Sequence, residues 1–129
     1  MIFLDANYLV SYYINTEEQH KLALEIMKEI KNHEKIISKL IIAETINVLY
    51  TKLKVDKNRI KEIYEELKNE YTLIEDSYIY DKTIDKIMNS QKRFPFFDYV
   101  IITLMEELGI KKIATFDKHF NNIDGILRI

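Results

Sequence analysis

The sequence has no cysteine, which excludes disulfides and thiolate metal ligands alike. No apolar run approaches the ~18 residues that a transmembrane helix needs. The opening MIFLDANYLV lacks the basic start and longer apolar stretch of a signal peptide, so a cytoplasmic location is the default expectation. An excess of charge of either sign is missing as well: 19 basic and 21 acidic residues leave a formal net charge of −2. Bulk electrostatics therefore do not hold this chain to nucleic acid, and any such contact needs a local basic patch or a bridging metal. Glycine occurs twice and proline once. With abundant Ile, Lys and Glu, that usage fits either a heat-adapted protein laced with ion pairs or an AT-rich genome.

What is present reads as one domain over residues 1–129. A chain of that length buries roughly two-thirds of the surface it exposes when unfolded. Hydrophobic residues make up 47% and charged residues 31%, a balance for a globular protein rather than a disordered one.

Short apolar segments alternate with amphipathic ones. Ile2–Leu4, Lys35–Ser38, Tyr71–Ile74, Lys112–Thr115 and Ile126–Ile129 read as strands. Helices are expected over Asn7–Ile14, Glu17–Lys31, Leu40–Leu53, Lys57–Glu70, Tyr78–Met88 and Phe97–Leu108, with a helical turn at Asp117–Phe120. Thr16 is placed to cap the second helix with Gln19 at the capping-box position, and Leu22, Ile26 and Ile30 mark its apolar face. Ile60, Ile63, Tyr64 and Leu67 form the stripe of the fourth. Pro95 keeps Phe94 out of helical geometry, and Gly109 stops the last long helix. The wide gaps between strands suit the crossover helices that parallel pairing requires. The expected fold is a three-layer α/β/α domain on a parallel sheet.

Open α/β sheets bind ligands beyond the carboxyl ends of their strands. Asp5 ends the first strand, and Asp117 lies just past the fourth. Glu44 is in the opening turns of the helix after the second strand, and Asp98 is in the first turn of the Phe97 helix. Singly, each has an ordinary explanation. An acid in a helix's first turn is favoured by the macrodipole, and Asp117 fits a simple cap. Glu44 is harder to dismiss among Leu40, Ile41, Ile42, Ala43, Ile46, Val48 and Leu49, because a desolvated carboxylate needs a partner. Four carboxylates at one sheet edge repel unless protons or cations neutralise them. An all-oxygen donor set points to Mg²⁺ or Mn²⁺ rather than zinc. Such a centre activates water against a phosphodiester.

The series IFLDANYLV, IIAETINVL, FFDYVIITLMEELGI and IATFDKHF resembles the PIN-domain nucleases, especially the small toxin-like members called VapC. The likeness runs from the first strand to the end of the chain. Its most specific parts are Asp5-x-Asn7 and the combination of Asp98 with Thr115-Phe116-Asp117. The resemblance implies a five-stranded parallel sheet, a divalent-metal centre and endoribonuclease activity on RNA. It makes Asp5, Glu44, Asp98 and Asp117 the catalytic and metal-binding quartet. Asp5 and Asp98 are its principal ligands; Glu44 and Asp117 act directly or through water. Asn7 orients Asp5 or bound water, and Thr115 hydrogen-bonds a ligand carboxylate. Such relatives imply a homodimer and, for a toxin, an antitoxin partner. A short basic DNA-binding protein encoded directly upstream would favour the toxin role over solitary RNA processing. One departure stands out: relatives often carry another acid two residues after the last Asp, where this chain has His119.

Negative charge nearby should raise the His119 pKa and suit it to a phosphate, against the plainer reading of an exposed loop histidine. His20 and His33 are expected on the surface. Lys92 and Arg93 precede the Asp98 helix and are candidates to reach a phosphate beside the metal. Lys52, Lys54, Lys57, Arg59 and Lys61 form either a solvated helix face or a guide for RNA. The nine tyrosines either stack bases or fill gaps between helix and sheet. Phe94, Phe96 and Phe97 are core plugs or an interface patch. Two other functions compete. A phosphatase of the haloacid-dehalogenase type needs a second Asp where this chain has Asn7. A non-catalytic PIN-like module that binds RNA or a partner would show no response of its thermal stability to Mg²⁺.

Overall fold

Five strands carry the architecture: β1 (Ile2–Leu4), β2 (Lys35–Ser38), β3 (Thr72–Ile74), β4 (Lys112–Ala114) and β5 (Leu127–Arg128). All pair in parallel in the order β3-β2-β1-β4-β5. Phe3 of β1 faces Ile36 on one side and Ile113 on the other. The structure is a computed structural model and describes residues Met1–Ile129. Six helices flank the sheet: α1 (Ala6–Tyr13), α2 (His20–Glu29), α3 (Lys39–Asn47), α4 (Lys57–Asn69), α5 (Tyr80–Met88) and α6 (Phe96–Leu108). Short 3₁₀ turns at Ser77–Ile79 and Lys118–Asn122 complete the three-layer α/β/α fold. No helix is long and apolar enough to cross a membrane.

The strands are short, continuous and apolar because both faces are covered. Phe3, Leu4, Ile37 and Ile113 are almost wholly buried. The chain lays β1, β2 and β3 outward in one direction, then returns past β1 to place β4 on its other side. The carboxyl ends of β1 and β4 thus flank the topological switch point, where an open α/β sheet leaves a crevice.

Several local expectations change once the helices pack. Helix α2 begins at His20, and neither Thr16 nor Gln19 caps it with a side chain. The chain first makes tight turns, with Glu17 N–H donating to Ile14 O at 3.1 Å and His20 N–H to Glu17 O at 3.0 Å. Its buried face is Ala23, Ile26 and Ile30, while Leu22 is exposed. The small Ala23 lets α2 lie close to α1, and the buried Tyr8 hydroxyl donates to Ala23 O at 2.8 Å. On α4, Ile63 and Leu67 are buried but Tyr64 lies outside. Tyr71 precedes β3, and its hydroxyl meets that of Tyr13 at 2.8 Å. Tyr8, Tyr13 and Tyr71 therefore plug gaps between layers, whereas Tyr50 and Tyr78 stay exposed. His33 is exposed, and half-buried His20 meets Ser11 O through Nδ1 at 2.8 Å. Gly109 ends α6 with φ of 69°, the left-handed conformation that glycine adopts without penalty.

Helix α3 matters most for the site because it carries Glu44. Ser38 sits at its N-terminus without a side-chain capping bond. The cap comes from a distance: Asp76, buried just after β3, accepts the Leu40 N–H at 2.8 Å. Lys39 and Glu75 pair at 2.8 Å beside it. The helix then continues into a π turn at Val48–Lys52.

Candidate metal centre

The end of β1 delivers Asp5 into the crevice, with the residue only 5% exposed. Oδ1 accepts the Ala6 N–H at 2.8 Å, so the same side chain starts α1. Oδ2 accepts the Thr115 hydroxyl at 2.7 Å and the Asn7 amide at 3.3 Å. Thr115 accepts in turn from Asp117 N–H at 3.0 Å and from Asn7 Nδ2 at 3.1 Å. Asn7 Oδ1 accepts the Phe116 N–H at 2.9 Å. Asn7 and Thr115 thus lace the end of β1 to the end of β4 and orient Asp5 between them.

Asp98 lies in the first turn of α6, buried against the same crevice. Asp117 leads the last 3₁₀ turn, where Oδ1 accepts the His119 N–H at 3.0 Å. His119 Nδ1 is 3.1 Å from Asp98 Oδ2 and 3.2 Å from Asp117 Oδ1. One donor atom from each of Asp98, Asp117 and His119 lies within 4.8 Å of the others. The sequence suggests a phosphate contact for His119; the structure turns Nδ1 toward the acids.

Asp5, Glu44, Asp98 and Asp117 share a cleft of about 340 Å³, which Glu17 and Lys52 also line. All four expected acids are brought to one place, although only Asp98 and Asp117 join the tight trio. Glu44 Oε1 is buried without a hydrogen-bond partner. Burial, with Asp5, Asp98 and Asp76 nearby, pushes the Glu44 carboxyl up to about 7. Burial likewise pushes Asp5 up to about 6, against the lowering bonds from Thr115 and Ala6; Asp98 and Asp117 add repulsion. The Asp98 carboxyl is also raised, chiefly by burial and despite its bond to His119. The Asp98 bond in turn holds the His119 imidazole above its usual value. Three carboxyls driven toward neutrality, one with an orphaned oxygen, describe a site short of positive charge. That donor set fits a hard divalent cation.

Of two further lining residues, Glu17 has no clear signal in the sequence, whereas Lys52 belongs to the basic cluster read as a solvated face or a guide for RNA. Glu17 reaches the cleft from the turn before α2, where the sequence pattern suggests only a helix start. Lys52 is the one basic residue of the lining. An α-helix advances about 100° per residue, which would leave Lys52 some 80° out of line with Glu44. The wider turn at Val48–Lys52 consumes an extra residue and removes much of that offset. Lys92 lies instead on a separate groove of about 730 Å³. Its ammonium donates to Asn122 O at 3.3 Å and sits 5.5 Å from the Phe94 ring centre. Arg93 is exposed. Phe94 and Phe96 are half-buried plugs, against His119 and Tyr80 respectively, while Phe97 is exposed.

The profile of the PIN domain matches residues 2–126. The chain belongs to the PIN-domain family. Solved structures carry the same fold at low sequence identity. A Mycobacterium tuberculosis protein, VapC20, described as a toxin that cleaves the sarcin-ricin loop, superposes with a TM-score of 0.79 at 14% identity, covering 94% of this chain and 93% of its own. VapBC2 from Rickettsia felis, bound to a DNA fragment from its promoter, gives 0.70 at 18% identity over 100% and 98% of the two chains. PAE2754 from Pyrobaculum aerophilum gives 0.67 at 19% identity over 98% and 87%. Among curated proteins none matches the sequence. In this PIN domain the four acids, Asn7 and Thr115 all stand at the switch-point crevice, whereas Lys92 lines a separate groove.

Proposed function

We propose that this PIN domain is a metal-dependent endoribonuclease, with Asp5, Glu44, Asp98 and Asp117 as its catalytic and metal-binding residues. The observation that carries the reading is the buried, under-neutralised acidic cleft at the β1/β4 switch point. Mg²⁺ or Mn²⁺ bound there supplies the charge that activates water and offsets the negative transition state. The chain's own residues then have separable tasks. Thr115 and Asn7 fix the orientation of Asp5, and Asp76 fixes the helix that presents Glu44. Lys52 offers the cleft's one cation to a backbone phosphate, with Arg93 and, after release from Asn122, Lys92 as outer contacts. His119 adds a polar side chain beside Asp98 and Asp117. Labelled single-stranded RNA should be cut with Mg²⁺ or Mn²⁺ present and left whole with chelator. RNA left intact under both conditions would refute the nuclease reading and favour a binding module.

A toxin role is supported by the VapC20 and VapBC2 likenesses, and it makes an antitoxin the expected protein partner. We also propose a homodimer. Ile84 and Met88 follow Tyr80 at four-residue steps, so the three share one face of α5. Phe96 packs edge-on against Tyr80, with the exposed Phe97 beside it. Phe97, Ile84 and Met88 are 44%, 49% and 77% exposed, an apolar surface that a second copy would cover. Light scattering should give twice the chain mass at high micromolar concentration; a monomer there would remove the dimer from the proposal.

A further inference from the structure

We infer that His119 is a direct nitrogen ligand of the divalent cation held at Asp98 and Asp117, and that it biases the centre toward Mn²⁺ over Mg²⁺. The inference rests on the metal reading of the acidic cleft proposed above. Its basis is the geometry of the imidazole. Nδ1 stands 3.1 Å from Asp98 Oδ2 and 3.2 Å from Asp117 Oδ1. An octahedral cation with bonds of about 2.1–2.2 Å holds neighbouring donors roughly 3.0 Å apart. Nδ1 therefore already stands at adjacent-corner spacing from each of the two acids, and all three donor atoms lie within 4.8 Å of one another.

The ring is also held in that pose. It stacks on Phe94 with centroids 5.1 Å apart and planes within 21°. The backbone N–H of the same residue donates to Asp117 at 3.0 Å. Stacking on one face and the 3₁₀ turn beneath leave Nδ1 directed at the acids. Coordination through Nδ1 requires the neutral tautomer that carries its proton on Nε2. In the cleft that Asp98 and Asp117 line, the buried Glu44 Oε1 also lacks a hydrogen-bond partner.

The bias follows from donor chemistry. Mg²⁺ keeps to oxygen and gives up water reluctantly, whereas an imidazole nitrogen favours the first-row transition metals. A carboxylate at this position would leave an all-oxygen centre. His119 is the one nitrogen donor of the trio.

The test uses the full chain and Mn²⁺ itself. Binding is followed by loss of the free-ion paramagnetic resonance signal, and pulsed measurements read ¹⁴N coupling to the bound ion. Wild type should show the coupling of a coordinated imidazole. His119→Gln should lose it and bind Mn²⁺ at least about tenfold more weakly, since even groups one shell further out carry effects of that size. Mg²⁺ affinity, read by competition, should fall less. His119→Asp should also lose the coupling while narrowing the preference for Mn²⁺ over Mg²⁺. With its side chain 45% exposed, His119 tolerates both replacements, and circular dichroism checks the fold. Stoichiometric Mn²⁺ binding without nitrogen coupling in wild type, or coupling that survives in His119→Gln, overturns the ligand assignment and leaves the metal site standing. Absence of Mn²⁺ binding to wild type at millimolar concentration overturns the metal reading and this inference together.

Discussion

Asp5→Asn is expected to abolish RNA cleavage, by a factor on the order of a thousand or more, with the fold intact. Asp5 is the acid most firmly positioned by other side chains: Thr115 and Asn7 both bond its Oδ2, and Ala6 N–H bonds its Oδ1. Exchange for the amide keeps this shape while removing one charge from the donor set. A loss of about 4 kcal/mol of transition-state stabilisation corresponds to that thousandfold effect. RNA binding should survive or improve, because one negative charge beside the phosphate is gone. Lys52→Ala should do the opposite, weakening binding and flattening its salt dependence by about 0.7–1 unit of slope per lost phosphate contact. Arg93→Ala should act similarly from outside the cleft. The Lys92→Ala effect should be smaller, since that ammonium already engages Asn122. Single-turnover cleavage of labelled RNA measures the first effect, and binding in Ca²⁺ measures the others. If Asp5→Asn cuts as fast as wild type, the catalytic assignment of the cleft is wrong.

The second large effect is a dependence of stability on pH that metal reverses. Burial raises Asp5 from 3.8 to about 6 and Glu44 from 4.5 to about 7. A carboxyl raised in the folded state binds more protons there than in the unfolded chain. Unfolding free energy therefore falls as pH rises between the unfolded and folded values. The metal-free protein should lose stability from about pH 4 to about pH 7, the range these two carboxyls span. Asp5 alone accounts for about 3 kcal/mol, because raising a pKa by one costs the ionised form about 1.36 kcal/mol. Mg²⁺ or Mn²⁺ needs the ionised carboxylates, so the stabilisation it gives should grow with pH. At a hundred times Kd it amounts to about 2.7 kcal/mol, or on the order of 10 °C in Tm. Thermal melts at pH 5 and pH 8, with metal and with chelator, measure both trends. Asp98→Asn is the control: an equal metal response in that variant would place the cation elsewhere.

Much of this protein is legible in sequence because its signals are local. Strand and helix alternation follows from apolar runs and 3.6-residue periodicity, and Gly109 marks a helix end that needs a left-handed residue. The acids after β1 and β4 follow as well, since strand ends are defined by the runs themselves. A likeness in four short motifs then suffices to suggest the family. Residues whose role depends on partners distant in the chain are a different matter. Periodicity puts Leu22 on the inner face of α2, but the close approach of α1 selects the smaller Ala23. Asp76 caps a helix that begins near Leu40, a pairing no local pattern announces. Lys52 reaches the cleft through a π turn that helical periodicity does not anticipate.

By itself, then, the sequence determined the element types, the parallel α/β class and the candidate acids. Tertiary structure decided the order β3-β2-β1-β4-β5, and with it which strand ends meet. It decided that His119 faces Asp98 and Asp117 rather than solvent alone, and that Lys92 opens onto another groove. The physical reason is range. Backbone hydrogen bonding and side-chain periodicity act over a few residues, whereas electrostatic environment and orientation are set by crossovers that join Asp5 to Thr115 across 110 positions.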